Sequence, residues 1–281
     1  MWVPAFTSDA PLARRDGLFV CLEPRRAAEV EPFLAQYRRV REQDGYRADR
    51  SEYYRALPDA PADDPQRGIW RIRRRSFDRV RQAVQATGIE SGPAVLDLGA
   101  GCGWLSYQLA RFGCRSVAVD LLADDRDGLG AVRHYDVPFT CVQADFDALP
   151  FAPRQFDLVI FNGSLHYSPD AAATLRRVER MLTSRGVLLV VDSPTFADRA
   201  DGEAMRERHR DRLRREYRVA APIEPGEGFL TFQGLADCAR EMGRRVQFFQ
   251  SHAGWRPRLR RLLPRRLAGS RPARFGVWVA A

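Results

Sequence analysis

Residues 95–106 read Val95-Leu96-Asp97-Leu98-Gly99-Ala100-Gly101-Cys102-Gly103-Trp104-Leu105-Ser106. An apolar strand ends in a glycine-rich turn, and a helix follows at once. Glycines at 99, 101 and 103 let the backbone turn tightly and approach a ligand with no Cβ in the way. The helix N-terminus behind them offers free N–H groups and the positive end of a dipole. A dinucleotide-binding fold opens in the same manner, so the spacing has to decide. That fingerprint puts its third glycine five positions after the first; here Trp104 holds that place. Asp97 also stands just before the first glycine, where a carboxylate repels a pyrophosphate and attracts an ammonium group. The loop therefore suits a ligand with a cationic end.

From Gly92-Pro93 onward, short apolar runs alternate with helical stretches, the pattern of a parallel sheet with crossover helices. Strands are predicted at 94–98, 116–120, 139–143, 157–161 and 186–191, with two more at 246–249 and 275–279. Helices are predicted at 104–112, 171–182, 201–217 and 231–242, the last capped by Thr231 and stopped by Gly243. The run at 157–161, DLVIF, is unbroken in apolar character and belongs mid-sheet. Residues 1–66 read as irregular and proline-rich, with one helix at 29–41. A loop at 59–65 precedes a second helix at 69–86, where Ile69, Ile72, Phe77, Val80 and Val84 keep helical spacing.

Five landmarks in order then carry a resemblance. They are DLGAGCG, the acid Asp120 ending the second strand, Asp145 after the third (QADFDALPF), then FDLVIFNGSLHYS and LTSRGVLLVVDSP. Over Pro93 to Pro194 the chain resembles the class I S-adenosylmethionine-dependent methyltransferases. The resemblance implies an α/β fold: a Rossmann-like seven-stranded sheet in the order 3-2-1-4-5-7-6, strand 7 antiparallel, helices on both faces. It implies a methyltransferase domain at 93–281 and a helical N-terminal cap and substrate lid at 1–92. The cofactor implied is S-adenosyl-L-methionine, held by the loop residues Gly99, Ala100, Gly101 and Gly103, with Asp97 toward the methionine ammonium. Asp120 would accept from ribose hydroxyls, with Leu121 packing beside it. Asp145 would accept from the adenine amine, and Phe146 would cover a ring face. Asn162 follows a central strand at the sheet's carboxyl edge, a ligand position by the switch-point rule. His166 is the candidate catalytic residue, as a general base; packing or hydrogen bonding beside the cofactor without proton transfer is the competing reading.

Missing motifs narrow the acceptor. Asn162-Gly163-Ser164-Leu165 stands where enzymes of exocyclic nucleobase amines carry Asp/Asn-Pro-Pro-aromatic, and no Pro-Cys pair for C5-pyrimidine chemistry occurs. Nucleic acid is thus disfavoured as a partner, a small-molecule acceptor is expected, and no metal is expected. The methylated atom, oxygen, nitrogen or carbon, stays open.

The chain has 281 residues, 45% hydrophobic and 29% charged, an ordinary globular balance that argues against disorder. No apolar run reaches the roughly 18 residues of a membrane span. The N-terminus lacks the basic-then-apolar layout of a secretory signal. Five cysteines without a C-x-x-C pair fit a reducing cytoplasm better than a disulfide framework. The net charge is +9, and none of the 45 basic residues is lysine. Arg256 to Arg274 contains eight arginines and no acid, so the excess is local. A solvated surface helix is the leading reading of that run. An RNA or protein methyltransferase using the patch is the alternative enzyme, and a non-catalytic S-adenosylmethionine-binding subunit is the alternative outside catalysis. Of the N-terminal aromatics, Tyr46, Tyr53, Tyr54 and Trp70 are read first as packing and second as lid lining. The charged helix at 201–217 is read equally as a substrate wall or a solvated helix.

Overall fold

Five consecutive buried residues, Ala94–Leu98, form β3 and sit at the middle of the sheet. A strand covered on both faces needs no polar alternation, and this one is apolar except for Asp97. The computed structural model describes residues 1–46, 48–90, 92–251 and 270–281. β3 pairs in parallel with β4 (Arg115–Asp120) on one side and β6 (Phe156–Asn162) on the other. Beyond β4 lies β5 (Thr140–Gln143); beyond β6 lies β7 (Leu182–Val191), both parallel. β11 (Gly276–Ala280) inserts antiparallel between β7 and β10 (Val246–Gln250). These seven strands run in the expected order, 3-2-1-4-5-7-6 in their own count, with the last antiparallel.

The N-terminus departs from its reading as irregular. β1 (Ala13–Arg15) and β2 (Leu18–Val20) form a hairpin, and β2 adds parallel to β5, giving nine strands in all. The turn is Asp16-Gly17, with φ of 50° and 83°. That dipeptide is the standard signal for a tight hairpin turn, but three-residue strands are too short to show a period of two. The hairpin covers the free edge of β5. Cys21 N–H donates to Gln143 O at 2.9 Å, and Phe6 packs on Phe19 and Phe151 with ring centroids 5.2 and 5.5 Å apart.

Helices close both faces. α1 (Pro24–Gln43) and α3 (Arg67–Ala86) lie where helices were expected, and α2 (Ser51–Ala56) is an additional short one. α4 (Trp104–Arg111) follows the glycine loop. Trp104 wedges edge-on against Trp70, at 5.9 Å between centroids, and against Phe77 at the same distance. α5 (Ala171–Glu179) is shorter than its apolar spacing suggested, because Leu182 already belongs to β7. α6 (Arg199–Arg215) and α7 (Phe232–Glu241) start on side-chain caps: Asp198 accepts from Ala200 N–H, and Thr231 from Gly234 N–H at 3.0 Å. A small parallel pair, β8 (Thr195–Phe196) and β9 (Leu230–Thr231), ties the segment after β7 to the start of α7. No helix among the described residues is long and apolar enough to cross a membrane. Most of the arginine run, 256–269, lies outside the described residues. At its end, Arg271 N–H donates to Asp201 at 3.0 Å.

Candidate functional site

The glycine loop sits over the carboxyl ends of β3 and β4. Gly99 and Ala100 both donate their N–H to Val119 O, at 2.8 and 3.0 Å, which curls the loop across β4. Gly99, Gly101 and Gly103 all have positive φ, a region costly for any other residue. Gly99 is doubly constrained, because a Cβ there would stand 2.3 Å from Ser164 Cβ. Gly99→Ala is therefore expected to lose about 1–3 kcal/mol of stability through overpacking and to deform the loop. Chemical denaturation checks this; an unchanged midpoint would mean that Ser164 moves aside freely.

Asp97 is 1% exposed. Its Oδ2 accepts from Ser106 Oγ at 2.9 Å, while Oδ1 is buried with no hydrogen-bond partner. Burial pushes its carboxyl up to about 7, with the nearby charge of Asp120 adding to the rise. Asp120 is itself raised to about 6 by burial. It accepts from Gly101 N–H at 2.7 Å and from Leu122 N–H at 2.8 Å, one bond per oxygen. Each oxygen keeps a lone pair for a further donor.

Two cavities open nearby; Asp120 lines the first, and Asp97 lies behind the loop in the lining of neither. The first, about 90 Å³, is lined by Gly99, Gly101, Asp120, Leu121, Phe146 and neighbours from three other segments. Those neighbours are Phe33, Leu34 and Tyr37 of α1, Leu122 and Asp127 after β4, and Gly163, Ser164 and Tyr167 after β6. The second cavity, about 280 Å³, lies between α1, α6 and the turn at 223–228, with His166 and Tyr167 in its wall. Phe33, Tyr37 and Tyr167 line both. Each pair of these three rings is 6.0 Å apart between centroids, so they form a triangular partition between the cavities.

Asp97, Ala100, Gly103, Asp145 and Asn162, all expected at the site, are not in the lining of either cavity. Ala100 is packed in an apolar cluster with Leu18 and Tyr107, and Gly103 caps α4. Asp145, 5% exposed, lies outside the lining of the first cavity. It pairs with Arg26 of α1 at 2.8 Å and accepts from Asp147 N–H at 2.9 Å. Asn162 ends β6 but the wall beside it is made by Gly163 and Ser164. His166 does face the second cavity. Its Nδ1 lies 3.3 Å from Ser193 Oγ, and burial, with the neighbouring His209, holds its imidazole down to about 4. Tyr46, Tyr53, Tyr54 and Trp70 line neither cavity. Tyr54 stacks on His134 at 4.4 Å, and Tyr53 donates to Asp64 at 2.7 Å. The charged helix α6 supplies Met205, Arg206, His209 and Leu213 to the second cavity.

One contact joins the two cavities electrostatically. Arg41 of α1, in the wall of the second, forms a two-pronged pair with Asp127, in the wall of the first, one arm at 2.8 Å. The guanidinium also lies 3.1 Å over the Tyr46 ring. Only 18% and 15% of the two side chains is exposed, so the pair is largely dry. Sequence reading passed over Arg41, which is one of many arginines, and Phe33 and Tyr37 of α1 showed in it only as part of a helical apolar face. Among the described residues, no group of His, Cys, Asp and Glu has the arrangement of a metal site.

Comparison with known proteins gives a matching domain over part of the chain and a fold. Residues 96–190 match the family described as a methyltransferase domain. The ubiquinone/menaquinone biosynthesis C-methyltransferase of Cellvibrio japonicus is 36% identical over 121 residues, 40% of this chain and 47% of that protein. The sarcosine/dimethylglycine N-methyltransferase of Halorhodospira halochloris is 32% identical over 140 residues, 48% and 49% of the two chains. The chain thus spans about half the length of these relatives. Among solved structures, magnesium protoporphyrin IX methyltransferase from Synechocystis, crystallised with bound SAM, matches with a TM-score of 0.54 at 16% identity. That match covers 96% of this chain and 99% of that one. At this identity the likeness speaks for the fold.

Proposed function

We propose that the chain is a class I, S-adenosylmethionine-dependent methyltransferase, as the matched domain and the fold support, and that it moves a methyl group from that donor to a small molecule seated in the 280 Å³ cavity. The observation that carries this reading is the partition: one cavity bounded by the glycine loop and Asp120, a second beside it, and three aromatic rings between them. The residues fit the donor. Asp97 offers a buried, unpartnered oxygen to an ammonium, and Asp120 offers two half-used oxygens to ribose hydroxyls. Phe146 supplies a ring face at the same cleft. Asp145 serves adenine in this reading only after releasing Arg26.

The sulfonium supplies an already activated methyl group. What remains for the protein is to hold donor and acceptor in line, at about 3–3.5 Å between reacting atoms. Phe33, Tyr37 and Tyr167 stand at that passage, since they line both cavities. His166 is uncharged at neutral pH and is free to hydrogen-bond an acceptor, whether or not a proton must leave it.

Of the N-terminal 92 residues, α1 works, in this reading, as the lid over the cleft, while β1 and β2 extend the sheet. The cleft of about 90 Å³ is well under the ~300–1,000 Å³ of ordinary ligand pockets. Phe33, Leu34 and Tyr37 of α1 form part of its wall, so in this reading α1 moves outward to admit the donor. Calorimetry with S-adenosylmethionine and S-adenosylhomocysteine tests the proposal. Binding of both is expected, and Asp120→Ala should weaken it by about 1.5–3 kcal/mol, the loss of hydrogen bonds to a charged group. A folded sample giving no heat at millimolar ligand sinks the reading.

A further inference from the structure

The second cavity has a definite chemical character. Four charged side chains reach its wall, and each already has an ionic partner within the protein. Arg41 is held by Asp127, and Asp44 by Arg212 at 3.1 Å. Glu224 is held by Arg210 at 2.7 Å through Oε2, and Arg206 reaches the same oxygen only at 3.9 Å. Gln36 spends both amide atoms on the Ile223 backbone, accepting at 2.8 Å and donating at 2.9 Å. A charged acceptor would have to compete with these internal pairs for a counter-ion, and burying a poorly paired charge is strongly unfavourable. Most of the remaining wall is apolar or aromatic, with Met205 and Leu213 facing Phe33, Tyr37 and Tyr167. His166 is uncharged at neutral pH, so it is no cation for a carboxylate. With Nδ1 3.3 Å from Ser193 Oγ, the other ring nitrogen, Nε2, is the one that would bond a ligand in this reading.

We propose that the methyl acceptor is an uncharged ring compound bearing a hydroxyl group, its ring in this cavity against Phe33, Tyr37 and Tyr167 and its hydroxyl bonded to His166. This rests on the proposed methyl transfer and narrows it. The matched relatives include a quinone-pathway enzyme and an amino-acid N-methyltransferase. The cavity's paired charges favour a neutral acceptor over a zwitterion. Its volume, at the lower end of ligand pockets, suits one or two rings.

The test uses matched probes on the full chain: 1-naphthol, naphthalene, 1-naphthoate and 1-naphthylmethylammonium. Their affinities are measured by ligand-observed NMR, with and without S-adenosylhomocysteine. Naphthol should bind at least tenfold more tightly than the anion or the cation, and more tightly than naphthalene. His166→Phe should erase the advantage of naphthol over naphthalene, and His166→Gln, which can still hydrogen-bond, should restore much of it. Leu213→Trp, which fills the cavity, should remove naphthol binding while leaving S-adenosylhomocysteine binding in place. Tighter binding of naphthoate or the ammonium overturns the proposal. So does naphthol affinity that ignores both Leu213→Trp and His166→Phe. If no probe binds while S-adenosylhomocysteine does, the acceptor class is wrong and the donor reading stands. If S-adenosylhomocysteine fails to bind, the donor reading falls on its own measurement.

Discussion

Asp97→Asn should make the ligand-free protein more stable and the cofactor site worse. Burial raises the Asp97 carboxyl from 3.8 to about 7. A carboxyl whose folded value lies above its unfolded one favours folding below the unfolded value, and that contribution is lost as pH rises through the folded one. At pH 8 the folded chain must therefore hold a charge that it disfavours. At 1.36 kcal/mol per pKa unit the cost is at most about 4 kcal/mol. The asparagine carries no charge to bury and can still accept from Ser106. The stability gap between variant and parent should open from about pH 4, widen to about pH 7 and level off above it. Urea titrations across that range measure it. Affinity for S-adenosylmethionine should move the other way, falling roughly tenfold or more, about 1.4 kcal/mol, because the ammonium loses its counter-charge. A variant less stable than the parent at pH 8 would show that the buried Oδ1 has a donor of its own.

Arg41→Ala should be the most damaging single change on α1. It strands Asp127 in a largely dry site already occupied by Asp120, and it removes the guanidinium from the Tyr46 ring. Breaking a buried pair from one side costs about 3–5 kcal/mol, much of it the penalty on the charge left behind. Adding Asp127→Asn should recover a large part of that loss, since the stranded charge disappears. A double-mutant cycle by denaturant unfolding separates the pair from the packing. A single-variant loss under about 1 kcal/mol, the range of exposed pairs, would mean that water reaches the pair and that α1 is not latched there.

The asymmetry between these residues follows from where their information lies. Asp97, Gly99 and Asp120 are legible in the chain because each sits at a strand end, a position set by neighbours a few residues away. Buried strand, tight turn and helix start leave a local composition, and the alternation of strands and helices after Gly92 settles a parallel sheet with little help from distant contacts. Arg41 and the aromatic partition leave no such mark. Phe33, Tyr37 and Val40 follow helical spacing whether they face a core or a cavity, and periodicity reports a buried face without saying what it is buried against.

What the sequence determined by itself was the strand-loop-helix at 94–111, the acids that follow it, and the order and direction of the seven main strands through their likeness to a known fold. Tertiary structure alone decided three other things. It placed β1 and β2 on the edge of β5, a pairing between segments more than a hundred residues apart that short strands do not announce. It turned Asp145 toward Arg26 and set Gly163 and Ser164, not Asn162, in the wall of the cleft. And it brought α1 and α6 together with His166 to enclose the second cavity. The physical reason is common to all three. Backbone conformation is chosen by near neighbours, whereas a cavity wall is chosen by which faces meet after the chain has folded, and that choice depends on long-range packing that no window of sequence contains.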